Sequence, residues 1–198
     1  MCFSCCCGCH WAVTAQQHKH QPTLATGAAF APDGSVVVVG VDAGALFVQR
    51  RQVNGEWGER KQLAIGEDTV ATTGDNRPKI AFGLKDEVVI SYTHPLAKPY
   101  TGEIRMLRSD DGGKNFSSPF TVHQDRQIIT HRFDAIQFDA RGDLYTFWID
   151  KRDAEQARQR AKDGPSGYDG AAIYYNITSA DGRVVTEDRK LADYSCEC

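Results

Sequence analysis

The chain repeats itself, and the repeat limits what it can fold into. The stretches GAAFAPDGSVVVVGVD (27–42), KIAFGLKDEVVISYTH (79–94) and DAIQFDARGDLYTFWID (134–150) share one design. Each has a short apolar strand ending near a phenylalanine, a turn, and a second strand of β-branched and aromatic residues. The phenylalanines are Phe30, Phe82 and Phe138, spaced by 52 and then 56 residues. Downstream of each pair comes a third alternating strand and a turn leading to a fourth: ALFVQRRQVNGEW, EIRMLRSDDGGKNF and AIYYNITSADGRVV. Pro32-Asp33-Gly34, Asn54-Gly55 and Asp181-Gly182 supply turn residues that tolerate positive φ.

One four-stranded sheet cannot bury both of its faces, so units of this kind stack face to face around an axis. The expected fold is therefore all-β, a β-propeller of four-stranded antiparallel blades with about three blades present. The blades fall at approximately 24–66, 77–124 and 132–193, within a domain spanning 22–198. A sandwich or a barrel would not need the same four-strand order three times. Only the third unit departs from the pattern, inserting RDAEQARQRAKDGPSGYDG between its second and third strands. There Asp153 with Gln156 reads as a capping box, Ala154 to Ala161 as a short exposed helix, and Gly164-Pro165 as its stop.

Composition narrows the partners. The net charge of -3 and the interspersed signs give no electrostatic footprint for nucleic acid or an anionic membrane. No run approaches the ~18 apolar residues of a transmembrane helix. The cysteines crowd the ends: Cys2, Cys5, Cys6, Cys7 and Cys9 at the start, Cys196 and Cys198 at the finish. Such a distribution differs from a disulfide scaffold, and five cysteines within eight residues lack the separated ligand pairs of a structural zinc site. Residues 1–21 read as a cysteine-rich tail or a degenerate export signal, with Val13-Thr14-Ala15 as the cleavage-type end and no positive n-region. The expectation that follows is a secreted or periplasmic protein.

The turn RSDDGGKNFSSP contains Ser109-x-Asp111-x-Gly113-x-x-Phe116 between a third and a fourth strand. This pattern resembles the Asp-box, or bacterial neuraminidase repeat, of the sialidase superfamily. Asp111 can accept backbone N–H bonds inside the turn, Gly113 allows a left-handed backbone, and Phe116 folds between sheet layers. The family pattern usually has threonine and tryptophan where this chain has Asn115 and Phe116; NGEW (54–57) and SADGRVV (179–185) are remnants. The resemblance covers about residues 24 to 195 and implies a structural turn, far from any substrate. It also implies a six-bladed ring, of which this chain reads as half, with uncovered blade faces that require further blades or self-association.

Sialidase resemblance implies an arginine cluster for a substrate carboxylate, an aspartate acid/base, and a tyrosine–glutamate nucleophile pair. Guanidinium suits the first task because its fork matches a carboxylate. The third unit gives the closest local match, HRFDAIQFDARGDLYTFWIDKRD, with Arg132 before one strand, Arg152 after the next, and Asp163 and Asp169 in the loop beyond. The motif reads Arg-Phe-Asp in place of the family's Arg-Ile-Pro, and the second unit offers Arg77-Pro78. The alternative is structural: Arg132 pairs with Asp134 at a strand start, and Asp150-x-Arg152 forms a surface pair.

His18 and His20 form a weaker candidate metal site, because cleavage after Ala15 would leave His18 third from a free amine, a Cu(II)/Ni(II) chelating arrangement. Cyclisation of Gln16 would remove that amine. His94, His123 and His131 each sit singly at strand ends, where solvated or hydrogen-bonded histidine is expected. No cofactor is expected. Three functions remain: a propeller binding glycan or protein without catalysis, an exo-sialidase-type hydrolase acting on a carboxylate-bearing sugar, and an exported metal-handling protein.

Overall fold

The computed structural model describes residues 26–161 and 169–195. His18, His20, Asp163, Gly164-Pro165 and all seven cysteines lie outside the described residues. Three four-stranded antiparallel sheets follow one another along the chain, each an unbroken meander. The first holds β1 (Thr26–Phe30), β2 (Val36–Asp42), β3 (Ala45–Arg51) and β4 (Lys61–Gln62). The second holds β5 (Lys79–Phe82), β6 (Val88–Pro95), β7 (Gly102–Ser109) and β8 (Phe120–Thr121). The third holds β9 (His131–Phe138), β10 (Leu144–Asp150), β11 (Ala171–Thr178) and β12 (Arg189–Ser195), with α1 (Arg152–Ala161) inserted after β10.

The repeat is visible in the turns. Each first hairpin closes with the same backbone bond across four residues: Ala31 N to Ser35 O at 2.8 Å, Gly83 N to Glu87 O at 2.8 Å, and Asp139 N to Asp143 O at 2.9 Å. Gly34 and Gly142 adopt φ of +82° and +90° in two of these turns, values that disfavour a Cβ. Because every sheet is a meander, all such turns share one end of the molecule, the turn end. The starts of β1, β5 and β9 share the other, the entry end.

Burial follows from stacking. In β6 every residue from Val88 to Thr93 is buried, whereas β10 alternates strictly between buried and half-buried positions. The period of two is lost in β6 because both faces of the second sheet are covered. Val88, Ile90 and Tyr92 enter a core shared with Val37, Val39, Val41 and Leu46 of the first sheet. Val89, Ile104 and Met106 enter a second core with Leu144, Trp148 and Tyr174 of the third. Burying a side chain of this size is worth about 1.5–3 kcal/mol relative to leaving it exposed.

Two of the repeated phenylalanines pack toward the sheet before their own. Phe82 packs against the core between the first and second sheets, and Phe138 belongs to the core between the second and third. Phe30, at the equivalent place in the first sheet, is 76% exposed. No described sheet precedes it.

The insertion starts differently from expectation. The carboxylate that accepts the first helical N–H is Asp150, through Arg152 N at 2.8 Å, not Asp153. Asp153 instead accepts the Tyr174 hydroxyl at 3.0 Å and pairs with Lys190 at 3.1 Å, binding the helix to the third sheet. Tertiary partners for a carboxylate have displaced the local cap.

The inner strands pass very close. A Cβ built on Gly27 of β1 would lie 2.2 Å from the carbonyl oxygen of Pro78, beside the start of β5. Gly27→Ala is expected to force β1 from β5 and cost about 1–3 kcal/mol, as overpacking does. A thermal unfolding curve unchanged from the parent would show that the two strands can part freely.

Candidate functional site

The two ends of the molecule differ chemically. In two of the turns at the turn end the polar groups answer one another. Ser109 Oγ donates to Asp111 Oδ1 at 2.7 Å and accepts Gly113 N–H at 2.9 Å, while Asp111 accepts Asn115 N–H at 2.8 Å and its amide at 2.7 Å. The Asn115 backbone bond, the Ser109 hydroxyl and the Asn115 side chain hold the Asp111 carboxyl down to about 2. Gly112 and Gly113 have φ of +72° and +86°, and Phe116 packs against the first core. The third sheet repeats the arrangement, with Ser179 Oγ on Asp181 at 2.6 Å and Val184 N–H on Ser179 Oγ at 3.0 Å. These donors and acceptors are spent on folding the turn.

Between the second and third sheets, near the entry end, lies a buried polar seam. Arg152 donates to Asp150 at 2.6 Å and to Asp188 at 2.9 Å, with its guanidinium 4.2 Å over the Tyr174 ring. Trp148 Nε1 donates to the same Asp150 oxygen at 2.8 Å. The expected Asp150–Arg152 pair therefore forms, but buried and bound to Asp188, not on the surface. Burial alone would lower the Arg152 pKa; the hydrogen bonds and charges of Asp150 and Asp188 outweigh it and raise it.

His123 and His131, expected as isolated strand-end residues, stack in this seam with ring centroids 3.9 Å apart and 16° between planes. Ile104 N–H donates to His123 Nε2 at 3.2 Å, so the ring proton sits on Nδ1, which donates to Asp125 O at 2.6 Å. Burial, then the neighbouring His131, lowers the His123 pKa to about 2. Burial also lowers His131, against the attraction of Asp150 and Asp125. Among the described residues no cluster of three or more His, Cys, Asp or Glu could hold a metal ion. His94 stands apart, accepting Thr69 N–H at 3.1 Å.

At the entry end, β9 carries a bulge: Ala135 pairs with Phe147 and Arg132 with Ile149, leaving Phe133 and Asp134 opposite Trp148 alone. Phe133 takes a φ of +55°, unusual for an aromatic residue. The bulge turns Asp134 inward, where it pairs with Lys79 at 2.9 Å and accepts the Ser91 hydroxyl at 2.5 Å. Lys79 and Ser91 are register partners on β5 and β6, so one carboxylate of the third sheet ties two strands of the second. Lys79 is the partner found for Asp134, where the sequence pointed to Arg132.

Open clefts surround this junction. One of about 410 Å³ is bordered by Asp75, Arg77, Lys79 and Phe133. A second, of about 420 Å³, has Thr73, Lys98, Tyr100 and Arg132 on its walls. Arg132 also lies 4.7 Å from the Phe133 ring. Arg132 and Arg152 share the entry end of the third sheet, one facing a cleft and the other held in the seam. Asp169 is exposed just before β11.

No family model matches the chain, and no curated protein matches it. Solved structures do. The GH93 α-L-arabinofuranosidase of Fusarium graminearum in complex with arabinobiose is 12% identical with a TM-score of 0.56, over 87% of this chain and 50% of that one. The α-L-arabinanase of Penicillium chrysogenum complexed with arabinobiose is 12% identical with a TM-score of 0.55, over 85% and 49%. A PL25 ulvan lyase is 13% identical with a TM-score of 0.52, over 82% and 36%. These neighbours are carbohydrate-active β-propeller enzymes, and at such identity the likeness is one of fold. The chain spans about half the length of the first two.

Two predictions follow from the seam and the bulge. Neutral His123 and His131 in the fold face an unfolded-state pKa near ~6.5, so the unfolded chain binds more protons as the pH falls. Stability is therefore full above pH ~6.5 and is lost progressively below it. The urea midpoint should fall between pH 7 and 5, and His123→Gln should flatten that slope; an identical slope would remove His123 from the acid response. Asp134→Ala strands the Lys79 ammonium and should cost about 3 kcal/mol in urea unfolding, as removal of one partner from a buried pair does.

Proposed function

We propose that the chain is part of a glycan-binding propeller whose ligand is held at the entry end. The observation that carries this reading is the contrast between the two ends. The polar groups of the Ser109 and Ser179 turns are consumed locally, and the clefts toward the turn end are small, about 130 and 170 Å³. The entry end gathers clefts of about 410 and 420 Å³ walled by Arg77, Lys98, Arg132 and Tyr100. Concave sites with a few convergent polar groups are where small ligands bind. The arabinobiose complexes of the arabinofuranosidase and the arabinanase support a sugar as the ligand class.

Further blades, three in the six-bladed arrangement, would cover the half-buried face of the third sheet, where Tyr145, Phe147 and Tyr175 stack, and would reach Phe30 of the first. Export to an extracellular or periplasmic space fits an oligosaccharide ligand, and His18 and His20 stay candidates for Cu(II) within that setting.

A second reading is an exo-sialidase-type hydrolase with Arg132 and Arg152 on a carboxylate and Asp163 or Asp169 as acid/base. Arg132 favours it, since it reaches a cleft at a blade start. Arg152 weighs against it, because Asp150 and Asp188 already occupy its guanidinium.

Titration of the protein against neutral arabino-oligosaccharides and acidic oligosaccharides should give saturable binding to at least one. Arg132→Ala should weaken that binding, by about tenfold for a lost charge-assisted contact. No binding to any sugar would refute the proposal. Release of fluorophore from a fluorogenic sialoside, lost in Arg132→Ala, would move the assignment to the hydrolase.

A further inference from the structure

The repeat identifies which side chains belong to the contacts between sheets. The bonds that close the three first hairpins make Ser35, Glu87 and Asp143 equivalent. Beyond them, Val37, Val39 and Val41 correspond to Val89, Ser91 and Thr93, and to Tyr145, Phe147 and Ile149. The first two sets are buried, because the second sheet lies on one and the third sheet on the other. The third set stands on the far face of the third sheet and is half-buried. Its register partners on β11, Ile177, Tyr175 and Ile173, complete three cross-strand apolar pairs with no charge among them. The Phe147 and Tyr175 rings lie 5.7 Å apart, and those of Tyr145 and Phe147 6.2 Å. A contiguous apolar face of this kind marks an interaction surface.

The complementary surface is also on this chain. Val88 and Ile90 of β6 are buried against the first sheet, and Leu144 and Thr146 hold the same places, buried, in β10. Their equivalents in β2, Val36 and Val38, are only half-buried, beside exposed Ala28 and Phe30 of β1. All four are apolar. The two faces that no described sheet covers are thus the two halves of one contact, which the chain forms twice internally. A second copy of the chain offers both halves at once, and a two-fold rotation lets the pair form the contact twice and close. Stable interfaces bury ~1,200–2,000 Å² in total, a requirement that two sheet-on-sheet contacts share. The alignment with the arabinofuranosidase covers 50% of that propeller, so two copies match its extent.

We infer that the chain pairs with a second copy of itself, the third sheet of each covered by the first sheet of the other, in a closed ring of six sheets. The face of Tyr145, Phe147 and Tyr175 on one copy then meets the face of Phe30, Val36 and Val38 on the second. The pairing also completes a cleft. Phe147, Ile149 and Ile173 are walls of the entry-end cleft of about 410 Å³, so the second copy adds a wall that one copy lacks. The inference goes beyond the glycan reading and does not depend on it, since it rests on sheet faces and not on a ligand.

Sedimentation equilibrium of the whole chain across a dilution series tests it, with reductant present to keep the seven cysteines from cross-linking. A monomer should give way to a species of twice 21.9 kDa as concentration rises. Phe30→Asp and Tyr175→Lys should each weaken pairing by about a hundredfold, because a pair of identical variants carries the substitution in both contacts. Mixed together, the two variants should pair again. One contact of the mixed pair carries neither substitution, and the other sets Asp against Lys. Phe30 is exposed and Tyr175 half-buried, and a circular dichroism spectrum matching the parent will show that both variants fold. Hydroxyl-radical labelling of the parent needs no variant: labelling of Phe30, Tyr145 and Tyr175 should fall together as concentration rises. A monomer at every concentration overturns the pairing, whether these side chains label freely or are covered from within the chain. Pairing lost in Tyr175→Lys but intact in Phe30→Asp overturns it in favour of third sheet against third sheet. Species that grow past the dimer, or variants that stay apart on mixing, overturn the closed ring.

Discussion

A four-stranded antiparallel sheet has two faces, and the second sheet of this chain is apolar on both. Val88, Ile90 and Tyr92 leave it on one side, Val89, Ile104 and Met106 on the other. Neither face can meet water without losing the burial that drives folding, so the first and third sheets are required on either side of it. The close passage of Gly27 against Pro78 and the tie from Asp134 to Lys79 and Ser91 both depend on that stacking. So does the polar seam, where Arg152, Asp150 and Asp188 exchange solvent for one another.

Much of this architecture was legible because it is written locally and three times. Strand alternation and Asp-Gly turns fall within segments of about a dozen residues, and the spacing of Phe30, Phe82 and Phe138 marks their repetition. The candidate site was far less legible. Asp134 reaches Lys79 across 55 residues and Ser91 across 43, and the repeat that aligns the strands does not say which side chains meet between them. His123 follows β8 of the second sheet and His131 opens β9 of the third, and their rings meet where those two sheets stack. The Asp150–Arg152 spacing did announce a pair, but its burial depends on Asp188, a residue 36 positions beyond Arg152. The φ of Phe133 is set by a bulge, and Arg-Phe-Asp carries no turn residue that would have marked one.

The conspicuous turn motif and the larger clefts lie at opposite ends. Ser109, Asp111 and Gly113 attract attention because acids and glycines crowd together, yet the Ser109 hydroxyl, the Asp111 carboxylate and the Gly113 N–H are each answered by a neighbour. Arg132, Lys98 and Tyr100 belong to no dense motif, and they border open clefts. Loops on a rigid scaffold can change without disturbing the cores, which is why strand-connecting segments carry recognition while the turns that set strand register keep their chemistry to themselves.

Phe30 shows what kind of joint links the sheets. Phe82 and Phe138 each reach toward the sheet before their own, so at both joints one face gives and the other receives. Such a joint is directional, like a head-to-tail contact between subunits, and it contains no count of how many units it joins. Ring size in an assembly of this kind is a matter of the angle at each joint, summed until the first giver meets the last receiver. The exposed ring of Phe30 holds, among the described residues, the place in its sheet at which Phe82 and Phe138 make that joint in theirs.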